Sequence, residues 1–303
     1  MTNSPKPTAT AEFVVTLVAS TFLMGSSFIA GKVLLRDGWD PMILVGWRFL
    51  VAALATLPLI RLDGSPLLPR AISPKHAILV LTIGLLQTAA VMGLLFLAMQ
   101  WISAATAAIL LFTNPIWVAV IARLFLGEAL HRARAAGLVL GVAGIALAMG
   151  VGPGAFAGGP ILRGEAIGLL SALCWAAATL INKRANLPIG SWGLSFWQML
   201  LGALAILAIA YGSGKGWPDV TTTAQWGWFL WLSIPASTGS FGLWFVALKK
   251  GGATRASGYL FLAPAFTVLL SYFVFGTTLT WTQAAGGALV GLALWLINRE
   301  PRA

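Results

Sequence analysis

The sequence repeats itself, and the repeat restricts the fold before any single residue is interpreted. The segment from Thr16 to Gly150 returns as the segment from Gly164 to Arg299. Leu97-Ala98, Pro115, Leu126-Gly127, Leu130 and Gly137 reappear 149 positions later as Val246-Ala247, Pro264, Phe275-Gly276, Leu279 and Gly286. Upstream, Trp47-Arg48-Phe49-Leu50 returns as Trp197-Gln198-Met199-Leu200 at a shift of 150, and Lys32 returns as Lys183 at 151. The copies are therefore separated only by one-residue gaps. Long duplications of this kind build either stacked soluble arrays or two-fold pseudosymmetric membrane transporters.

Composition separates these two outcomes. Apolar side chains make up 59% of the chain and charged ones 9%, and the charges gather between apolar runs of about 20 residues, the length at which a helix spans a bilayer. Ten spans are predicted, at 11–31, 41–60, 76–98, 103–126, 132–150, 164–184, 190–211, 224–248, 253–276 and 281–298. The runs are continuously apolar, without the alternation of a lipid-facing strand, so the expected fold is an all-α membrane protein of ten transmembrane helices. Five spans per copy is an odd number, which makes the second copy enter the bilayer from the opposite side. The expected domains are a five-helix repeat over 11–150 and an inverted one over 164–299, joined by the Gly/Pro-rich stretch 151–160. Trp39, Trp101, Trp192, Trp217, Trp226 and Trp281 fall near span ends, where the indole ring favours the headgroup region.

Charge sets the orientation. With a cytoplasmic N-terminus, fourteen of the nineteen Lys and Arg fall on the inner side and four on the outer, Arg48 being the one inside a span. Both termini are thus expected in the cytoplasm, with the protein in the inner (plasma) membrane. The net charge of +11 is read as a topology signal with some attraction to anionic lipid, so no nucleic-acid partner is expected. The single Cys174 excludes a disulfide framework within the monomer.

Two five-span modules, an Arg in the second span at Trp47-Arg48-Phe49, Asn114-Pro115 in the fourth, and Leu126-Gly127-Glu128-Ala129-Leu130 at its end resemble the EamA-type drug/metabolite transporter superfamily. The resemblance covers nearly the whole chain. It implies a ten-helix inner-membrane carrier, commonly an exporter of amino acids or other small metabolites, with a cavity lined mainly by the first, third and fourth helices of each repeat. The second copy departs from the pattern with Gln198 in place of Arg and Thr277-Thr278 in place of Gly-Glu, so a role for Arg48 or Glu128 is not symmetric.

Arg48 is the leading candidate residue. It lies about 10 Å into its span at about 1.5 Å per residue, where charge is costly and usually functional. Two roles are open to it. It meets a substrate carboxylate, or it packs one helix in place through backbone carbonyls with help from Asp40. Pro115 and Pro264, at matching positions, each remove a backbone donor and are candidate hinges beside Asn114. Ser233, Ser237, Ser240 and Trp244 share one face of the eighth span, and Ser171, Trp175, Thr179 and Asn182 share one face of the sixth. Gln87, Thr88 and Tyr259 add to the proposed substrate lining, with Thr21 and Ser26 on the first span. For any one Ser or Thr, interhelical bonding is the competing role. Gly137 with Gly141, and Gly287 with Gly291, are placed as close-packing pairs between helices, with homodimerisation the weaker alternative.

Other functional classes find little support. His76 and His131 sit at span ends, with neither a paired carboxylate nor metal-ligand spacing, so neither an enzyme, a metal nor a cofactor is expected. Gly212-Ser213-Gly214-Lys215-Gly216 lacks the spacing of a phosphate loop and reads as a turn. Glu128 is expected to be a helix-end charge next to Arg132. With no carboxylate seen at depth, facilitated diffusion or exchange is preferred over proton antiport. The expected function is an alternating-access carrier of small organic solutes, an exporter of amino acids or related metabolites and drugs, acting as a monomer or weak homodimer in the lipid bilayer. A channel-like facilitator is the alternative and a membrane-embedded enzyme a more distant one.

Overall fold

The computed structural model describes residues 11–64, 66–67, 73–126, 132–148, 159–185, 187–251, 258–277 and 279–298. Glu128, His131 and most of the connector 151–160 lie outside these residues. Among the described residues every regular element is helical. In the first repeat these are α1 (Ala11–Arg36), α2 (Pro41–Asp63), α3 (Pro74–Gly84), a π-helical turn (Leu85–Ala90), α4 (Val91–Ala98), α5 (Ala104–Leu111), α6 (Asn114–Leu126) and α7 (Arg132–Ala148). In the second they are α8 (Pro160–Ala185), α9 (Ser191–Gly212), α10 (Thr223–Ser233), a second π turn (Ile234–Gly239), α11 (Ser240–Gly251), a 3-10 turn (Gly258–Phe261), α12 (Leu262–Phe275) and α13 (Trp281–Asn298). Among the described residues six helices are long and apolar enough to cross a membrane: Ala11–Arg36, Pro41–Asp63, Pro74–Ala98, Ala104–Phe125, Pro160–Asn182 and Ser191–Gly212.

Short polar residues between the apolar runs fix where these helices begin. Asp40 caps α2, its Oδ1 accepting from the N–H groups of Met42 at 2.9 Å and Ile43 at 3.3 Å, with Pro41 pre-set in the first turn. Ser73 caps α3, Ser103 caps α5, and Thr222 with Gln225 forms a reciprocal capping box at α10. The Gly212–Gly216 segment is a turn, and its Lys215 Nζ faces Asp40 Oδ2 at 3.7 Å. Asp40 is therefore committed to a helix cap and a surface cation, which removes it as the partner considered for Arg48.

Packing follows the duplication. Helix α2 lies along α9, and α7 along α13. Helix α1 packs against α12 and the rod α10–π–α11, while α8 packs against α5, α6 and the rod α3–π–α4. Exchanging the two repeats maps the contacts of α1 onto those of α8 and maps the α2–α9 and α7–α13 pairs onto themselves. In a lipid-like environment such contacts rely on close packing, because lipid tails are as apolar as the helix surfaces. At the α7–α13 contact a Cβ placed on Gly144 would lie 2.9 Å from the Gly286 carbonyl oxygen, the Leu289 Cβ and the Val290 nitrogen. The glycines predicted to make this contact only partly do so. Gly141 faces α13, where its Cβ would lie 3.4 Å from the Ala293 Cβ, and also meets Ile116 of α6, with Cδ1 2.4 Å from that Cβ, while Gly137 is buried. Gly287 has nothing nearer than 3.9 Å and Gly291 nothing within 4 Å, because the face of α13 turned toward α7 carries Gly286 and Val290.

The tryptophans near span ends differ in exposure. Trp281 is 91% exposed and Trp226 42%, as membrane-boundary residues can be, but Trp39 is 2% exposed and Trp192 9%. Trp39 stacks on Phe229 at 5.5 Å and meets Trp217 edge-on at 4.8 Å, so its ring packs within the protein.

Candidate functional site

Both π turns fall at the same place in the repeat: Leu85–Ala90 and Ile234–Gly239 are 149 positions apart. A π turn closes i→i+5 bonds and so holds an extra residue, an arrangement often found at functional sites. The second contains Pro235 and the first contains no proline. Residues of both turns, with α1, α2, α4, the end of α5, α8 and α11, surround a cavity of about 140 Å³. Phe28, Phe96, Phe112, Trp175, Phe241 and Trp244 form its aromatic walls, and Ser27, Arg48, Gln87 and Ser240 are its polar members.

Arg48 is 3% exposed. Its Nε donates to Ser237 Oγ at 2.8 Å, and that hydroxyl in turn donates to the Leu232 carbonyl at 2.8 Å. The guanidinium carbon lies 4.7 Å from the ring centroid of Phe49 and 5.3 Å from that of Phe96, so aromatic faces supply the remaining local attraction. Nη1 is buried without a hydrogen-bond partner. A charged donor left unmet in an apolar setting is costly, and the adjoining cavity is where a complementary acceptor fits.

Of the ten residues predicted to bind substrate, Arg48, Gln87, Trp175, Ser240 and Trp244 line this cavity. The other five stand elsewhere. Thr88 is buried against α9, where a Cβ on Gly202 would lie 2.5 Å from its Cβ. Ser237 holds Arg48 from behind. Asn114 is buried with Nδ2 unpaired, off the cavity wall. Asn182 is exposed near the end of α8, and Tyr259 packs edge-on against Phe13 at 6.2 Å in a separate apolar cluster with Leu17 and Ala247. The shared face projected for Ser233, Ser237, Ser240 and Trp244 does not survive, because the extra residue of the π turn breaks the 3.6-residue phase between its two ends. Ser171 takes the competing interhelical role, donating to the Val91 carbonyl at 2.8 Å, while Ser233 donates back to the Phe229 carbonyl of its own helix at 2.8 Å.

The prolines, expected as hinges, sit where a helix restarts within its span and not inside an unbroken helix. The fourth apolar run is broken at Phe112-Thr113, and Pro115 is the second residue of the helix that restarts there. Pro264 is the third residue of α12, after the 3-10 turn. Both therefore lie in a first helical turn, where a missing N–H leaves no intrahelical bond unmade. Sequence reasoning also missed Met24, Phe28, Met92 and Phe112 as cavity wall, since an apolar residue in an apolar span carries no signal of the direction it faces, and it missed the polar Ser27.

The sequence pattern of the EamA-like transporter family matches this chain twice, over residues 13–150 and 162–299. A WAT1-related chloroplast protein of Arabidopsis thaliana is 29% identical over 295 residues, covering 93% of this chain and 68% of that protein. The uncharacterized transporter YoaV of Bacillus subtilis is 24% identical, covering 92% and 94%. The uncharacterized inner membrane transporter YedA of Escherichia coli is 25% identical, covering 93% and 89%. A solved crystal structure shares the fold with a TM-score of 0.64 at 19% identity, over 93% of this chain and 96% of the other.

Proposed function

Because this chain belongs to the EamA-like transporter family and is a multi-pass membrane transporter, we propose that it is an alternating-access carrier of small organic solutes. On this reading the helical pieces join into ten spans, as two inverted five-span repeats over 11–150 and 164–299, in the inner (plasma) membrane with both termini cytoplasmic. The near-exchangeable packing of α1 and α8 supports a two-fold related pair of repeats, since such a pair has two nearly equivalent arrangements around one central site.

The observation that carries the reading is the unpaired Nη1 of Arg48 beside an aromatic cavity built by both repeats. An acceptor on the solute, a carboxylate above all, meets that donor, and the rings of Phe28, Phe96, Phe112, Trp175 and Trp244 take its apolar body. Gln87 and Ser240 supply neutral hydrogen bonds. One cation suits a singly charged or zwitterionic solute, such as an amino acid or a related metabolite or drug, better than a phosphorylated one. The cavity of about 140 Å³ is below the roughly 300–1,000 Å³ of small-molecule sites, so loading requires the surrounding helices to separate. The cluster of Phe13, Leu17, Ala247 and Tyr259, which also touches Trp244, is a barrier that parts on one side of that cycle.

A resistance screen against toxic amino-acid analogues and cationic drugs identifies a solute, and proteoliposome counterflow with that solute tests the mechanism. The expected result is saturable counterflow, with an affinity at least about tenfold weaker in Arg48→Ala. Unchanged affinity in that variant removes Arg48 from the site. Ion currents of high unitary rate without counterflow replace the carrier with a channel.

A further inference from the structure

A second cavity, of about 410 Å³, lies where the turn between α4 and α5, the first turns of α8 and the turn between α12 and α13 come together. It shares no lining residue with the central cavity. Its floor holds Glu165, which is 6% exposed and has no hydrogen-bond or ion-pair partner among the described residues. Glu165 is a carboxylate in the first turns of an apolar helix, at a span end and not in the middle of a span. Five residues into α8, it reads in sequence as part of a span end. Helix α8 seats closely here, and a Cβ on Gly164 would lie 2.9 Å from Ile102 Cγ2 and 3.0 Å from Trp101 Cβ.

Several other polar groups around the cavity are engaged. Ser103 and Thr106 share a hydroxyl bond at 2.9 Å, Thr277 Oγ1 donates to the Ser271 carbonyl at 3.2 Å, and Gln283 Oε1 accepts from the Thr280 N–H at 3.2 Å. The nearby cations are occupied too. Lys32 Nζ donates to the carbonyls of Met99 and Ile102, and Arg163 lies over the Trp101 ring at 5.0 Å from its centroid. Glu165 is left as the unmet charge, a strong acceptor in a space large enough for a small organic molecule. A divalent metal does not suit it, because no group of three His, Cys, Asp or Glu capable of holding one occurs among the described residues.

We propose that this cavity is a second solute site, taking the protonated amino group of a small organic amine against Glu165, with the indole of Trp101 along its apolar part. The ammonium donates charge-assisted hydrogen bonds to the carboxylate. The site is separate from the central cavity and stands or falls independently of the role of Arg48.

The test is calorimetric titration of the purified protein in lipid nanodiscs with benzylamine and with its neutral isostere benzyl alcohol. Benzylamine is expected to bind saturably and at least about tenfold more weakly to Glu165→Gln, which keeps the side chain's shape, while benzyl alcohol binds both forms alike and weakly. Trp175→Ala, in the central cavity, is expected to leave benzylamine binding unchanged. A thermal unfolding curve of Glu165→Gln matching the parent shows that lost binding is not lost folding. Equal benzylamine affinity in Glu165→Gln, or loss of binding in Trp175→Ala, overturns the proposal. So does an absence of amine binding between about pH 5 and pH 9, which leaves Glu165 holding only a proton.

Discussion

Replacing Arg48 by Met separates a solute-binding arginine from a packing one, because the two roles predict opposite changes in stability. The guanidinium makes one side-chain bond, from Nε to Ser237 at 2.8 Å, and leaves Nη1 buried and unpaired. An unmet buried donor costs about 1–3 kcal/mol, and an apolar side chain of similar volume at the same place carries no such cost. Arg48→Met is therefore expected to hold or raise the unfolding temperature in detergent, read by tryptophan fluorescence. Ser237→Ala is expected to lower it, because the charge stays in place with Nε also orphaned, a loss of about 1–3 kcal/mol. In transport the order reverses. A charge-assisted bond from Nη1 to a solute carboxylate contributes about 1.5–3 kcal/mol, so Arg48→Met weakens solute affinity by roughly one to two orders of magnitude. Ser237→Ala keeps the donor and loses less. If Arg48→Met destabilises the fold as much as Ser237→Ala while solute affinity in counterflow is retained, the guanidinium is a structural element and the reasoning fails.

Two further outcomes follow from the packing. Gly144→Ala is expected to destabilise the α7–α13 contact by about 1–3 kcal/mol, since two of the three atoms its Cβ would meet at 2.9 Å are backbone, whereas Gly291→Ala, with nothing within 4 Å, stays within about 0.5 kcal/mol of the parent; thermal unfolding of both checks the contrast. Deleting Ala89 removes the extra residue of the first π turn and lets the rod close as a continuous α-helix, its two ends keeping nearly their present phase. The deletion variant is expected to insert and purify as the parent does but to lose counterflow, and retention of full transport would show the π turn to be dispensable.

Much of the architecture is legible in the sequence because the bilayer imposes it. Span length follows from hydrocarbon thickness, and the duplication shows in anchors such as Pro115 and Pro264 whatever their conformation. Arg48 is legible for the same reason, since a charge in an apolar run has few tolerable surroundings. What is not legible is direction. The rings of Phe28 and Phe112 look like any other core residue in sequence, and the projection that placed Ser237 on the cavity assumed an unbroken α-helix. Asn182 failed for another reason, since a polar residue close to a helix end has solvent within reach. Gly291 failed because spacing alone does not say which of two faces meets the neighbouring helix, and the burial of Trp39 reflects aromatic partners that come from the other repeat.

The two π turns bear on how a single arginine serves a duplicated protein. Only one of them holds a proline, so the irregularity belongs to the position in the repeat and not to Pro235. The first copy places Arg48 where the second has Gln198, and a guanidinium from α2 reaches across to Ser237 within the π turn of the second repeat. Ser237 and Thr238 donate to the carbonyls of Leu232 and Ala52, the latter on α2 itself, so that π turn is tied to the helix that carries Arg48. The first π turn has no matching cation and instead packs Thr88 against Gly202. The symmetry of the scaffold thus stops at the cavity, where one half presents charge and the other positions it. A solute bonded to Nη1 is joined to both repeats through one side chain, and any motion that separates α2 from the second π turn must break the bond to Ser237 or carry the solute with it.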